Sequence, residues 1–181
     1  NEIGLTFSEV LRNVLRQDPD VLMIGEIRDK ESLDIAIQAS LTGHLVLATL
    51  HTNDSVSTIN RLLDLEAEPF LIASTLKTII SQRLVLKLGK YCKVKIDEKE
   101  NTFDSVGCAK CDFKGYKNRE IISELFISDE EISKMICKQI DINEIINYCK
   151  TKGFKSLFEN GMLKVKEGIV DKKEIYKVTN Y

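Results

Sequence analysis

The residues best suited to chemistry lie between Val21 and Thr52. Glu26 follows the apolar run Val21-Leu22-Met23-Ile24 and one glycine, Gly25, and is itself followed by Ile27, Arg28 and Asp29. The chain's two histidines, His44 and His51, flank a second apolar run, Leu45 to Leu50. A carboxylate placed just after a buried strand can orient or deprotonate a water molecule. Arg28 can pair locally with Asp29, or it can reach a phosphate. The histidines are seven residues apart, and an odd separation puts them on opposite faces of an unbroken strand. Spacing therefore argues against one metal shared by both. Either ring could sense a phosphate at the strand's carboxyl end, and His51 is the better placed.

An apolar strand ending in an acidic residue is the Walker B arrangement of P-loop ATPases, in which the carboxylate faces Mg²⁺-bound phosphate. Gly25 stands where that motif carries its strand-terminal Asp. Taken alone, the same letters also describe a charged loop after a strand. The phosphate cradle itself is absent, because no Gly-x-x-x-x-Gly-Lys-Ser/Thr occurs in the sequence. Arg12 and Arg16 are four apart and share a helix face, either as a solvated basic face or as fingers toward a neighbouring subunit's phosphates. Cys108-Ala-Lys-Cys111 is half of a zinc knuckle, and only Cys92 lies near enough in sequence to add a third ligand. Cys137 and Cys149 fall within helical patterns and read as buried or bystander thiols.

The elements that must hold these groups follow from periodicity. Phe7 to Gln17 has helical spacing, with Ser8 as its N-cap, and Asp18-Pro19-Asp20 stops it. Val21 to Ile24 and Leu45 to Leu50 read as buried strands of a parallel sheet, joined by a helix from Lys30 to Thr42 that Gly43 caps. A helix opens at Asn53-Asp54-Ser55 and reaches about Leu65; another starts at Glu68-Pro69 and runs to about Arg83, followed by a strand at Leu84 to Leu88. Tyr91 to Asn118 reads as irregular. Ile121 to Ile127 reads as a strand, and Ser128-x-x-Glu131 as a capping box that opens a helix to Lys138. Helices are expected at Ile142 to Lys152, Ser156 to Lys166 and Lys172 to Val178.

Bulk properties narrow the classes. A net charge of −2 supplies no field that would favour nucleic acid or an anionic membrane. No apolar stretch reaches membrane-spanning length. Five cysteines, an odd number in a chain that opens on no signal peptide, favour thiols or metal over disulfides. The first residue is Asn1, and the helix begins with no strand before it, so the chain reads as a piece of something longer.

From Gly4 to Arg83 the sequence closely resembles the ATPases of type II secretion and type IV pilus assembly. Gly4-Leu5-Thr6-Phe7, Leu15-Arg16-Gln17-Asp18-Pro19-Asp20, Gly25-Glu26-Ile27-Arg28-Asp29, Gln38-Ala39-Ser40-Leu41-Thr42-Gly43-His44 and Thr49-Leu50-His51-Thr52-Asn53 carry the likeness. Glu68-Pro69-Phe70, Gln82-Arg83-Leu84-Val85, Gly107-Cys108, Gly115-Tyr116 and Glu124-Leu125 extend it over nearly the whole chain.

The resemblance implies an α/β fold: residues 1–90 as the C-terminal part of a RecA-like P-loop core, 91–119 as a cysteine-motif subdomain, and 120–181 as a helical C-terminal subdomain. It implies a homohexameric motor, cytoplasmic and peripheral at the inner membrane, that hydrolyses ATP with Mg²⁺ and drives assembly through a membrane platform protein. Direct nucleic-acid binding is not expected. By match, Glu26 is the Walker B glutamate, with Gly25, Arg28 and Asp29 completing its segment, and His44 and His51 form the family's histidine box. Arg12 and Arg16 are candidates for inter-subunit contact. Cys92, Cys108 and Cys111 match three ligands of the family's two Cys-x-x-Cys pairs, and Gly89 occupies the fourth position, which puts Zn²⁺ in doubt. Glu26 and both imidazoles are expected to converge on one phosphate that another part of the protein holds. Without the cradle, the piece by itself is expected to be inactive, or to serve as an assembly module for a platform protein or sister subunit.

Overall fold

The structure is a computed structural model that describes residues 7–17, 19–98 and 101–179. The Gly4-Leu5-Thr6 motif and the Ser8 cap lie outside the described backbone and side chains. The described residues gather into two compact units, 1–79 with 127–149, and 80–126 with 150–181. Each unit is drawn from two stretches of chain, whereas the division read from sequence cuts at 90 and 119.

In the first unit, helix α1 (Phe7–Leu15) precedes strand β1 (Val21–Ile24), helix α2 (Lys30–Leu41) and strand β2 (Leu45–Ala48). β1 and β2 pair in parallel, Val21 opposite Leu45 through Ile24 opposite Ala48, which completes a βαβ unit. α2 forms where Asp29 accepts the Ser32 backbone N–H at 2.8 Å, satisfying a donor that the helix itself cannot. It ends at Thr42 and Gly43, the latter at φ 101°, a conformation that glycine adopts without a Cβ clash. Leu22, Ile24, Leu33, Ile35 and Ile37 are buried. The strands differ from fully buried parallel strands in one respect. Val21, Met23, Leu45 and Leu47 share one face by register, and that face is exposed.

Helices α3 (Ser57–Asp64) and α4 (Pro69–Thr75) follow, and α5 (Glu130–Cys137) packs against α4. The expected helix to Arg83 stops at Thr75. Leu76 turns extended, and strand β3 (Thr78–Leu88) begins almost at once. Thr75, Thr78, Ile79 and Ile80 are β-branched, and the partner strand comes from far along the chain, where no local pattern shows it. The expected cap on the next helix also moves by one residue. Asp129, not Ser128, accepts the Ile132 N–H at 2.9 Å, so the capping box read at Ser128 and Glu131 does not form. Helix α6 (Ile142–Thr151) spans the boundary between the two units.

In the second unit, the stretch expected to be irregular contains an antiparallel hairpin, β4 (Lys93–Asp97) with β5 (Thr102–Ser105). Val94 and Ile96 alternate with Lys93, Lys95 and Asp97, a period of two hidden by the charges. β6 (Tyr116–Ile127) pairs with β3. Helices α7 (Leu157–Lys166) and α8 (Lys172–Thr179) pack together, and Val85, Ile122, Leu157, Val165, Val170 and Ile175 form the core. Ser156 and Glu159 cap α7 reciprocally, as a capping box. Among the described residues, no helix is long and apolar enough to cross a membrane.

Candidate active site

Two strand ends build the first site. Beyond β1 the chain bends so that the Ile27 N–H donates to the Thr49 carbonyl at 3.0 Å, and the Thr49 hydroxyl donates to the Gly25 carbonyl. These two bonds stitch the Gly25-Glu26-Ile27 turn to the carboxyl end of β2. Glu26 and His51 therefore emerge side by side. Nε2 of His51 lies 3.1 Å from Oε1 of Glu26, and Nη2 of Arg28 lies 2.5 Å from Oε2. Each carboxylate oxygen thus has its own cationic or hydrogen-bonding partner. The Glu26 side chain is 23% exposed, while those of His51 and Arg28 are 89% and 76% exposed. The carboxylate is sheltered at the strand end while both partners face outward.

The Arg28 hydrogen bond, reinforced by the charges of Arg28 and His51, outweighs desolvation and lowers the Glu26 pKa below the usual carboxylate range. The same bond raises the pKa of Arg28. The group is therefore a carboxylate at neutral pH, a strong acceptor and a weak base.

Asp29 takes no part in this pairing. Its Oδ1 accepts from the Ser32 N–H and the Ser32 hydroxyl, both at 2.8 Å, and the backbone bond is the main reason its pKa is lowered. The alternative of an Arg28–Asp29 pair is resolved in favour of Arg28–Glu26. Arg12 stands 3.6 Å from Glu31, with both side chains exposed, and Arg16 lies beyond the last residue of α1.

The structure brings Glu26, Arg28 and His51 together and does not bring His44 to them. His44 precedes β2, at the amino end of a strand whose carboxyl end carries the cluster. Its Nδ1 lies 2.9 Å from the Ala39 carbonyl and 3.1 Å from the Thr42 hydroxyl. A carbonyl only accepts, so Nδ1 carries the proton and the ring closes the last turn of α2. The expected convergence of both imidazoles reduces, within this chain, to His51. Thr49, which ties the two strand ends together, is the residue that sequence reasoning passed over. Its signal was a hydroxyl at the end of an apolar run, one residue before Leu50-His51.

The cysteines form a separate cluster in the second unit. Sγ of Cys92 lies 3.5 Å from Sγ of Cys111, which is 4.0 Å from Sγ of Cys108, and all three sulfurs fall within 4.8 Å of one another. A 3-10 turn at Ala109–Cys111 aims the pair, with the Cys108 N–H donating to Sγ of Cys111 at 3.2 Å. That backbone bond lowers the Cys111 thiol to about 7, whereas burial pushes Cys92 up to about 11. Among the described residues no fourth His, Cys, Asp or Glu donor joins them. A closed four-ligand zinc site does not fit this set. Cys137 is exposed and Cys149 buried, neither within the cluster.

Comparison with known proteins places the chain among its relatives. A family model described as "Type II/IV secretion system protein" matches residues 1–177. The type II secretion system protein HxcR of Pseudomonas aeruginosa is 45% identical over 177 residues, which are 98% of this chain and 37% of that protein. The type IV pilus assembly ATPase PilB of Thermus thermophilus is 41% identical over 190 residues, covering 96% of this chain and 21% of the relative. Among solved structures, the pilus retraction motor PilT with bound ADP superposes with a TM-score of 0.73 at 26% identity, covering 96% of this chain and 43% of that one. The chain thus spans well under half the length of the relatives it matches.

Proposed function

This chain belongs to the Type II/IV secretion system protein family, and from that premise we propose that it is the catalytic-carboxylate part of an ATP-hydrolysing motor for secretion or pilus assembly. The observation that carries the proposal is the Glu26 carboxylate, held at the carboxyl end of a parallel strand pair between Arg28 and His51. Ligands of open α/β sheets bind at that edge, and water attack on a γ-phosphate needs a positioned acceptor there.

In this reading Glu26 accepts a hydrogen bond from the attacking water and aligns it for in-line displacement. Its lowered pKa suits orientation better than proton abstraction. His51, exposed beside it, meets the γ-phosphate and transmits its presence or loss to the strand end through Glu26. Mg²⁺ arrives with the nucleotide and would supply charge neutralisation. Gly25 brings no carboxylate to it, and Asp29 is committed to capping α2. The β and γ phosphates are held by a Gly-x-x-x-x-Gly-Lys-Ser/Thr loop outside this sequence, so the chain alone turns over no ATP. Arg12 and Arg16 contact sister subunits of a hexamer. Residues 91–119 form the cysteine-bearing insertion, 120–181 the helical C-terminal part, and the assembled motor works against an inner-membrane platform protein from the cytoplasmic side.

The experiment is an ATPase assay on the longer protein that carries the phosphate-binding loop, with Glu26→Gln and His51→Ala compared with the unaltered motor. Loss of turnover with retained nucleotide binding supports the reading. Undiminished turnover in Glu26→Gln overturns it.

A further inference from the structure

We infer that the part of the second unit around Tyr91, Val106 and Phe113 is a docking surface for an anionic lipid bilayer. The rings and Val106 enter the interface, and the lysines around them meet phosphate headgroups. The net charge of −2 conceals a division. Residues 80–126 and 150–181 hold 18 Lys and Arg against 11 Asp and Glu, a balance of +7. Residues 1–79 and 127–149 hold 8 against 17, a balance of −9. Within the basic unit the excess is concentrated. Residues 87–95 and 106–119 contain seven Lys and one Arg against Asp112 alone. Among the described residues, Lys90, Lys110 and Lys114 are exposed and pair with no carboxylate. Such a stretch attracts an anionic leaflet within a Debye length of its surface.

Apolar side chains stand in water among these lysines. Phe113 is 77% exposed, Tyr91 68% and Val106 66%. The backbone gathers them. The Val106 N–H donates to the carbonyl of Cys92, the neighbour of Tyr91, at 3.2 Å. A Cβ on Gly107, the neighbour of Val106, would stand 2.6 Å from the Phe113 carbonyl. Nζ of Lys110 lies 3.7 Å from the centroid of the Tyr91 ring. Asp112 and Phe113 both hold left-handed backbone, at φ 52° and 57°, which is unusual for a bulky aromatic residue. That bend serves no core, because the Phe113 ring stays in water. Strain of this kind persists where it places a group for use. The three side chains project, each more than half exposed, and do not line a groove that a peptide could fill. Projecting rings and aliphatic groups surrounded by lysines suit the boundary between headgroups and acyl chains. An acidic protein or a nucleic acid would use the lysines and leave Phe113 without a role.

The test is co-sedimentation of the 181-residue chain with vesicles of phosphatidylcholine mixed with phosphatidylglycerol, against vesicles of phosphatidylcholine alone. The binding needs no nucleotide, so it can fail while the motor reading stands, and the reverse. The expected result is binding to the mixed vesicles that weakens as salt is added. One lysine near an anionic leaflet contributes about a fivefold change in partition, so Lys110→Ala with Lys114→Ala should weaken binding about 25-fold. Phe113→Ser should weaken it too, whereas Met23→Ser, at a 72% exposed position of the first unit, should leave it unchanged. The chain has no tryptophan, so Phe113→Trp supplies a single reporter, whose emission should shift to the blue on the mixed vesicles. Equal binding to both vesicle types, emission that does not move, or a loss in Met23→Ser as large as that in Phe113→Ser would overturn the assignment. Tighter binding to polyglutamate or to a DNA oligonucleotide, indifferent to Phe113→Ser, would overturn it in favour of a different anionic partner.

Discussion

Glu26 and His51 meet across two strand ends, Oε1 to Nε2 at 3.1 Å, although twenty-five positions separate them in sequence. The contact exists because β1 and β2 are parallel and in register, so that both carboxyl ends open at one edge. Arg28 occupies the other oxygen at 2.5 Å. In the longer protein, Glu26→Gln should reduce ATP turnover by about 10²- to 10⁴-fold, the usual range for losing a positioned acceptor. Nucleotide affinity should change little, since phosphate binding resides elsewhere. Steady-state kinetics together with equilibrium nucleotide binding separate the two. A fall in affinity matching the fall in turnover would count against a catalytic role.

His44 and Asp29 hold the two ends of α2, and their removal should tell on stability. His44→Ala loses the bond to the Ala39 carbonyl, and Asp29→Ala loses two bonds from Ser32. Each should cost about 1 kcal/mol, measurable as a lower Tm of the isolated chain. His51→Ala, at an exposed ring, should leave Tm unchanged. If His44→Ala leaves Tm unmoved, the helix-closing role assigned to the ring is wrong.

Much of this was legible from residue order. The βαβ unit, the Glu26 strand end, the Gly43 stop and the helix opening at Ser156 are local patterns, and local sterics decide them. What stayed hidden depended on distant partners. β3 is drawn out of an apparent helix because β6, well beyond it in the chain, offers it a ladder. The β4–β5 hairpin hid behind lysines that alternate with Val94 and Ile96. The separation of His44 from His51 needed the strand's direction as well as the odd spacing. The sulfur cluster was legible as well: Cys108 and Cys111 from their spacing, and Cys92 as the one further cysteine near them in sequence.

Gly161 shows packing overriding propensity. In the middle of a helix, glycine costs about 1 kcal/mol relative to alanine, so Gly161→Ala would ordinarily stabilise α7. Here the new Cβ would lie 2.8 Å from Cδ1 and 2.9 Å from Cγ2 of Ile175, which is fully buried. Overpacking of that kind costs about 1–3 kcal/mol, so the net effect should be destabilising. Ile175→Val removes the nearest methyl at about 1 kcal/mol. Gly161→Ala should therefore cost less when combined with Ile175→Val than in the native background. Strictly additive losses, measured by urea denaturation, would show that the two sites do not touch.

Glu120 makes part of the second unit's stability depend on pH. It accepts from Lys164 at 2.9 Å and Lys87 at 3.2 Å, with its side chain 19% exposed. The hydrogen bond from Lys164, then that from Lys87, lowers its pKa below the ordinary 4.5 despite desolvation. A carboxyl whose folded pKa is depressed binds its proton more weakly in the folded than in the unfolded state. Its contribution is therefore complete above the unfolded value and is lost as pH falls through the folded one. Glu120→Gln should lower stability by about 1 kcal/mol at neutral pH, in line with two paired but partly solvated lysines. The difference between variant and native should begin to shrink as pH falls below the ordinary 4.5 and vanish once pH has passed through the lower folded value, where the native carboxyl is itself protonated. Urea denaturation of both proteins across that range decides the matter: a gap that persists unchanged into acid would mean that Glu120 acts through packing, and the lysine pairs would then contribute nothing.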